Sequence, residues 1–308
     1  MIQPEHSDAF VFFGATGDLA YKKVFPALQA MIQRGELDIP IIGVARAGWN
    51  LEKLRARAHA SLTEHGGVDE AAFAKLSSLL CYVDGDYHER STFDQLRKDL
   101  GAAKHPLHYL AIPPSMFPVV ISHLGNSGCA SGGRVIVEKP FGRDLASARQ
   151  LNFAIHQVFD EPSVFRIDHY LGKETVQNLL VFRFANTLLE PVWNRNYIES
   201  IEISMAESFG VQGRGAFYEE AGAIRDVVQN HLMQVVGFLA MEPPATTYQE
   251  AVRDELVKVF RQIPALKPED LVRGQLKGYR DEPGVAKDSD VETFAALRLE
   301  VDSWRWAG

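Results

Sequence analysis

Five short apolar runs, separated by stretches of helical spacing, place the strongest constraint on the fold of the first half of the chain. The runs cover residues 9–13, 39–45, 80–83, 107–112 and 134–137. Between them, apolar side chains recur every three or four residues, as at Leu145, Ala148, Leu151 and Ile155. Strands that alternate with helices are typical of βαβ units, and strands apolar on both faces are typical of a parallel sheet. We therefore predict a Rossmann-type α/β domain over residues 1–168.

The pattern changes after about residue 170. A helical stretch over 174–184 precedes an alternating run at 198–205, a second helix is predicted from 222 to 239, and a strand-like run covers 293–306. Alternation is typical of antiparallel strands that bury one face. We therefore predict that residues 169–308 form an α+β domain with a mainly antiparallel sheet. Because the chain ends inside the last predicted strand, we also expect this domain to be truncated.

Composition excludes several classes of protein. Hydrophobic residues make up 46% of the 308 positions, which is ordinary for a globular protein. Acidic residues number 40 and basic residues 32, and the net charge of −8 argues against a nucleic-acid or membrane-surface protein. Prolines interrupt the most apolar window, and the N-terminus lacks the pattern of a signal peptide. Two cysteines, Cys81 and Cys129, are too few for a disulfide framework, so we predict a cytoplasmic protein.

A turn with two glycines directly follows the first predicted strand, with the sequence Gly14-Ala15-Thr16-Gly17-Asp18-Leu19-Ala20. In a dinucleotide-binding unit, the first glycine permits the sharp turn, the second lets the backbone approach the pyrophosphate, and a small third residue lets the helix pack on the strand. The pattern is GxxGxxA rather than GxGxxG, so an ordinary strand-to-helix turn fits it equally well. Pro26 predicts that the regular helix begins near that residue.

Arg46, after the second predicted strand, favours the coenzyme interpretation of the turn. NAD-specific folds usually carry an acidic residue there for the ribose, whereas a guanidinium suits the 2′-phosphate of NADP. A solvated surface arginine is the alternative. The turn and Arg46 together predict an NADP site.

The segment Arg166-Ile167-Asp168-His169-Tyr170-Leu171-Gly172-Lys173-Glu174 is rich in polar chemistry. If a helix begins at Tyr170, His169 and Lys173 share a face at its N-terminal end, which predicts a phosphate site. His231 follows in an otherwise apolar predicted helix, where a hydrogen-bonded core histidine is the commoner case. A carboxylate such as Asp168 could instead orient its imidazole for proton transfer. Asp226 would lie about 140° away from His231 around an ideal α-helix, and so on a different side.

Two other motifs are weaker. Glu138-Lys139-Pro140-Phe141-Gly142 closes the fifth predicted strand, where open α/β sheets bind ligands, and a cis proline would direct Lys139 into the cleft. A plain strand-ending turn is the alternative. His105 and His108 have the spacing of a weak metal pair, but no companion ligands follow. We interpret both as surface residues and predict no metal.

Four segments, at 14–20, 138–142, 166–174 and 224–232, together resemble the glucose-6-phosphate dehydrogenase family. The resemblance extends from the first predicted strand to the last residue and agrees in order. It implies NADP-dependent oxidation of glucose 6-phosphate to 6-phosphogluconolactone, the first step of the oxidative pentose phosphate pathway. It also implies a homo-oligomer for full-length members, whose C-terminal portion is longer than that of this chain.

The resemblance also implies a role for each matching residue. His231 is implied as the general base at the C1 hydroxyl, and Asp168 as its orienting carboxylate. The implied substrate-binding residues are His169, Tyr170 and Lys173 for the phosphate, Glu207 and Asp226 for sugar hydroxyls, and Lys139 and Lys23 near the coenzyme. The implied coenzyme-binding residues are Gly14, Ala15, Thr16, Gly17, Asp18, Leu19, Ala20, Tyr21, Arg46, Asp84, Gly85 and Lys139. Tyr21 stands where the family usually has a basic residue.

Two alternative functions remain compatible with these motifs. One is a remnant that binds NADP through residues 1 to 165 without turnover. The other is a different sugar oxidoreductase that uses Lys139 as its catalyst. Dependence of activity on His231 or on Lys139 distinguishes the dehydrogenase from this last possibility.

Overall fold

The computed structural model describes residues 6–211, 213–246 and 249–307. The chain forms two compact units, Met1–Ile167 and Asp168–Gly308. Each unit has its own apolar core. No helix in the described part of the chain is long and apolar enough to cross a membrane.

A parallel sheet of six strands forms the centre of the first unit. Its strands are β1 (Ala9–Phe13), β2 (Ile41–Ala45), β3 (Leu80–Asp84), β4 (Pro106–Leu110), β5 (Arg134–Glu138) and β6 (Val164–Ile167). The order β3-β2-β1-β4-β5-β6 reverses direction between β1 and β4, which is the topological switch point of a Rossmann fold. The predicted α/β unit is confirmed. The sixth strand escaped prediction because it has four residues, one of them the charged Arg166.

Helices cover both faces of this sheet. They are α1 (Phe25–Gln33), α2 (Leu51–Glu64), α3 (Glu70–Leu79), α4 (Arg90–Leu100), α5 (Phe117–Asn126) and α6 (Leu145–His156). Successive side chains of β1 enter different apolar clusters, Val11 and Phe13 on one face and Phe12 on the other, as strand alternation requires. A π-helical turn over Ala20–Val24 precedes α1, whose first turn contains Pro26, as predicted.

The prediction that His108 lies at the surface is wrong. His108 is on β4, a central strand, and its side chain is completely buried. Its Nε2 atom donates a hydrogen bond of 2.9 Å to the carbonyl oxygen of Cys129. Burial lowers the pKa of His108 to about 4, although the Cys129 bond acts in the opposite direction. His105, its predicted companion, is half-buried.

We expect His108 to make the first unit less stable in acid. The unfolded histidine takes up a proton near pH 6.5, whereas the folded one does so only near pH 4. Above pH 6.5 the group is neutral in both states and contributes no pH dependence. As the pH falls from 6.5 to 4, the unfolded state binds more protons, and the free energy of unfolding drops by about 3 kcal/mol. Urea unfolding at several pH values would measure this, with His108→Gln as the variant. A variant that loses as much stability in acid as the wild type would contradict the assignment.

The second unit is mainly helical. Its helices are α7 (Glu174–Phe184), α8 (Gly215–Ala223), a π-helical segment (Ile224–Leu232), α9 (Met233–Ala240) and α10 (Gln249–Arg261). The core lies among α7, α9 and α10 and includes Val176, Phe238 and Leu256. The helix predicted at 174–184 is confirmed. The helix predicted from 222 to 239 is also present, but its first half is π-helical.

The antiparallel sheet of the second unit is much smaller than predicted. It consists of β7 (Leu271–Gly274) and β8 (Phe294–Leu297). Residues 198–205 form no strand, and the run at 293–306 is a strand only over β8, so both predictions are wrong there. Ile203 and Val301 nevertheless pack on the core, so the alternation reflects segments that pack one side on the core without forming a continuous strand. Residues 298–307 form no strand, so the expectation that the chain ends inside one is wrong.

Candidate active site

The glycine turn lies at the switch point of the sheet. Gly14 follows β1 with a φ of +81°, and its N–H donates to the carbonyl oxygen of Val44 at 2.9 Å. A Cβ atom at Gly14 would lie 2.2 Å from the carbonyl oxygen of Ala111, which follows β4. Ala20 is completely buried, so the following helix packs closely on the sheet. The turn therefore has the close packing that a dinucleotide-binding unit needs, and its residues fit such a coenzyme.

Tyr87 makes hydrogen bonds to this turn, although it belongs to none of the sequence motifs. Its hydroxyl accepts a hydrogen bond from the N–H of Gly14 at 2.9 Å and donates one to the carbonyl oxygen of Val44 at 3.0 Å. Burial raises the pKa of Tyr87 to about 12, so the hydroxyl keeps its proton at neutral pH and can donate. A tyrosine two residues after Gly85 is the only sequence signal that could have pointed to it.

Asp84 organises the loop that carries Arg46. Its Oδ1 atom accepts hydrogen bonds from the N–H groups of Ala47 and Gly48 at 3.0 Å and from Trp49 at 3.4 Å. The hydroxyl of Tyr82 adds a fourth bond at 2.9 Å. Burial raises the pKa of Asp84, but these hydrogen bonds outweigh it and lower the pKa overall. The carboxylate therefore stays charged and holds the loop after β2.

Arg46 and the two lysines of the predicted coenzyme region occupy different environments. Arg46 is exposed at the end of β2 and pairs with Asp86. Lys23 is exposed in the π-helical turn. Lys139 is half-buried at the end of β5, and its peptide bond to Pro140 is cis, as the sequence analysis considered. The Tyr21 hydroxyl donates to Glu64 on α2 at 2.7 Å, so Tyr21 also supports the helix packing beneath the turn.

In the second unit, Asp168 and His231 form a direct pair. His231 Nδ1 donates to Asp168 Oδ1 at 2.5 Å, although 63 positions separate them. Their side chains are 4% and 12% exposed, His231 being the more buried. The same Oδ1 atom accepts the N–H of Tyr170 at 3.0 Å. Asp168 Oδ2 is buried and has no hydrogen-bond partner in the described part of the chain. The Asp168 carboxylate thus fixes the orientation of the imidazole. The other ring nitrogen, Nε2, points away from Asp168.

The cluster around this pair contains the predicted phosphate-binding residues. The ring of Tyr170 stacks on His231 with centroids 5.1 Å apart, and the ring of His169 meets His231 edge-on at 4.7 Å. Lys173 Nζ lies 4.2 Å from the centroid of the Tyr170 ring. The structure therefore brings all three residues close to His231 or to a neighbour of His231.

The condition for a helical face shared by His169 and Lys173, a helix that begins at Tyr170, is not met. Residues His169–Gly172 form a 3₁₀ turn capped by the Asp168 side chain, and α7 begins only at Glu174, with Lys173 as its N-cap. His169 and Lys173 therefore do not share an α-helical face. Gly172 and the local Asp168 cap favour a separate turn over an earlier start of the helix.

The π-helical segment changes the expected relation between Asp226 and His231. The separation of about 140° assumed an ideal α-helix. In a π-helix the hydrogen bonds run from residue i to residue i+5, so residues five apart lie on the same side of the helix, much as residues four apart do in an α-helix. Asp226 and His231 consequently share a face of this segment, which corrects the prediction that they line different sides. The Asp226 side chain is 12% exposed and lies 3.8 Å from Arg214. Glu207 is exposed on an irregular segment.

The cluster of Asp168, His169 and His231 has the dimensions of a small metal site. One donor atom each from Asp168, His169 and His231 can be chosen so that all lie within 4.8 Å of one another. The direct Asp168–His231 hydrogen bond is, however, the contact of a proton-transfer pair, in which a carboxylate orients an imidazole.

Two family models match this chain. The NAD binding domain of glucose-6-phosphate dehydrogenase matches residues 11–178, more than half of the chain. The C-terminal domain of glucose-6-phosphate dehydrogenase matches residues 180–308. This chain belongs to the glucose-6-phosphate dehydrogenase family. The resemblance that the sequence motifs indicated is therefore confirmed.

Individual relatives agree with the family assignment. Glucose-6-phosphate 1-dehydrogenase 1 of Mycobacterium tuberculosis is 45% identical over 302 residues, which are 98% of this chain and 65% of that protein. The crystal structure of glucose-6-phosphate 1-dehydrogenase from Mycobacterium avium matches with a TM-score of 0.92 and 46% identity, over 98% of this chain and 68% of that one. A glucose-6-phosphate dehydrogenase in complex with its substrate glucose-6-phosphate matches with a TM-score of 0.92 and 39% identity, over 100% of this chain and 68% of that one. This chain spans about 65% of the length of the first curated relatives it matches.

Proposed function

We propose that the protein oxidises glucose 6-phosphate at C1 to 6-phosphogluconolactone, with NADP⁺ as the hydride acceptor. The buried Asp168–His231 pair is the observation that carries this proposal, because it supplies an oriented base in a family of glucose-6-phosphate dehydrogenases. A structural relative, a glucose-6-phosphate dehydrogenase in complex with its substrate glucose-6-phosphate, supports the choice of sugar.

The first unit is proposed to hold the coenzyme. The turn from Gly14 to Tyr21 would contact the pyrophosphate, Arg46 the 2′-phosphate, and Lys23 and Lys139 the region nearest the substrate. Asp84 supports this edge of the site through the loop that follows Arg46, and the N–H of Gly85 donates to the carbonyl oxygen of Ala45 at 3.0 Å. NADP⁺, when bound, supplies the hydride acceptor.

The second unit is proposed to bind the sugar and remove its proton. Asp168 holds Nδ1 of His231, so Nε2 is the atom that takes the proton of the C1 hydroxyl. A carboxylate beside the ring stabilises the imidazolium that this transfer forms. His169, Tyr170 and Lys173 are proposed to bind the phosphate, and Glu207 and Asp226 to bind sugar hydroxyls. Anchoring the phosphate near the base fixes C1 for reaction.

The direct test is NADPH formation, followed by its near-ultraviolet absorbance, with glucose 6-phosphate as substrate. We expect a rate above that of a no-substrate control and of glucose alone, because free glucose lacks the phosphate. Binding of NADP⁺ without any turnover would instead support the non-catalytic remnant. The intact pair in the second unit argues against that alternative. Turnover that survives loss of His231 but not of Lys139 would support the lysine-dependent oxidoreductase.

Asp168→Asn should reduce kcat by up to about 10⁴-fold, because it removes the carboxylate that orients His231 and stabilises its charged form. Asparagine keeps the shape and one acceptor oxygen, so the N–H of Tyr170 retains its partner while the negative charge is lost. We expect the NADP⁺ dissociation constant to stay at its wild-type value, and Asp168→Glu to restore part of the rate. Steady-state kinetics would show an unchanged kcat if Asp168 has no role in orienting His231.

The cytoplasmic location and the homo-oligomer remain predictions. A relative from Arabidopsis thaliana carries the name glucose-6-phosphate 1-dehydrogenase 5, cytoplasmic, which supports the location without testing it. We also propose residues 1–168 as the coenzyme domain and 169–308 as the substrate domain.

A further inference from the structure

Besides Asp84, a second carboxylate lies in this region: that of Asp86, which contacts Arg46 of the proposed coenzyme site. Arg46 Nη1 is 2.5 Å from Asp86 Oδ2, in the loop that follows β3. The Arg46 side chain is 75% exposed and the Asp86 side chain 27% exposed, so the arginine is the more accessible member of the pair. The guanidinium that is proposed to receive a phosphate is therefore already bound to an anion.

Asp86 is held in place by its own loop. Its Oδ1 atom accepts the N–H of His88 at 2.9 Å, and its carbonyl oxygen accepts the hydroxyl of Thr92 at 2.7 Å. The bond from His88 lowers the pKa of Asp86; burial opposes it, and the charge of Arg46 adds to the lowering. The carboxylate is thus charged at neutral pH and fixed beside Arg46.

The loop after β2 does not depend on Asp86 for its shape. The Asp84 carboxylate accepts three consecutive backbone N–H groups, those of residues 47–49. Asp84 therefore performs the structural role at this edge of the sheet. Asp86 instead contacts the Arg46 side chain, and its negative charge partly neutralises the guanidinium.

We propose that Asp86 is a specificity-determining residue, whose carboxylate competes with the coenzyme 2′-phosphate for Arg46 and limits the preference for NADP over NAD. The inference rests on the proposed function, since it takes Arg46 as the 2′-phosphate contact. Arginine binds phosphate best through two parallel N–H groups, and Asp86 engages one end of the guanidinium. NADP must weaken this pair and place a second anion beside Asp86. NAD has a hydroxyl at that position and leaves the pair intact.

The experiment measures dissociation constants for NADP⁺ and NAD⁺ by calorimetry, which does not require turnover. Asp86→Asn keeps the shape of the side chain and the acceptor for His88 N–H. Releasing Arg46 from a partly exposed ion pair should lower the NADP⁺ dissociation constant about two- to fivefold, with that of NAD⁺ unchanged. Glu36→Gln is the matched control, because it removes an exposed pair with Arg34 that has an N–O distance of 2.7 Å. We expect this control to leave both constants at their wild-type values.

Arg46→Ala separates this inference from the coenzyme assignment. Loss of the charged contact should raise the NADP⁺ dissociation constant about tenfold or more. In the Arg46→Ala variant, Asp86→Asn should change the NADP⁺ dissociation constant much less, because the arginine for which Asp86 and the phosphate compete is absent. An unchanged constant for Arg46→Ala would overturn the assignment of Arg46. Arg46→Ala could weaken NADP⁺ binding as expected while Asp86→Asn leaves NADP⁺ binding unchanged or weakens it. That result would overturn the proposed competition and leave the proposed function standing.

Discussion

His231→Asn should lower kcat for NADPH formation by about 10²- to 10⁴-fold, the range that a positioned general base contributes. The His231 side chain is 4% exposed and its Nδ1 atom is held by Asp168, so asparagine cannot place a base at the position of Nε2. The Michaelis constant for glucose 6-phosphate should change far less, because the proposed phosphate contacts come from other side chains. Steady-state kinetics on purified variants would measure both constants.

Two controls make this result specific. The NADP⁺ dissociation constant of His231→Asn should match that of the wild type, because the proposed coenzyme contacts lie in the first unit. His59→Gln replaces an exposed histidine of α2 and should retain full activity. A His231→Asn rate within tenfold of the wild-type rate would exclude His231 as the base.

Gly14→Ala should destabilise the first unit by about 3 kcal/mol or more and raise the NADP⁺ dissociation constant more than tenfold. Two effects add here. The φ of +81° is strained for any residue with a Cβ atom, and that atom would lie 2.2 Å from the carbonyl oxygen of Ala111. Since the contact is with backbone, the turn or the end of β4 must move, and the N–H groups proposed for the pyrophosphate move with it. Thermal unfolding and calorimetry would record the two losses.

Gly35→Ala distinguishes backbone strain from the steric clash. Gly35 has a φ of +71°, but a Cβ atom there would meet nothing within 4 Å. We expect a loss of about 1 kcal/mol and normal NADP⁺ binding. If Gly14→Ala lowers stability and NADP⁺ binding no more than Gly35→Ala does, the close approach of Gly14 to Ala111 does not constrain the turn.

The central sheet could be predicted because each of its longer strands is recognisable from a short stretch of the sequence. Buried parallel strands are short apolar runs on the sequence, and β1 was predicted over its exact span, Ala9–Phe13. The alternating run at 198–205 carried a similar signal but has no partner strand among the residues that the structure describes. Period-two burial also arises in an extended segment that packs one face on a core, as Ile203 does. Local pattern cannot distinguish the two cases, because a strand is defined by its neighbour.

The sequence by itself determined the family, the glycine turn and the chemical types of the site residues, because these depend on residue identity and short spacing. Only the tertiary structure decided that His231 meets Asp168, that a π-helix aligns Asp226 with His231, and that Asp86 binds Arg46. The two partners of the Asp168–His231 contact are 63 positions apart, and those of the Arg46–Asp86 contact are 40 positions apart. Their meeting depends on how strands and helices pack, and the free energy of that packing is spread over the core rather than encoded at either residue.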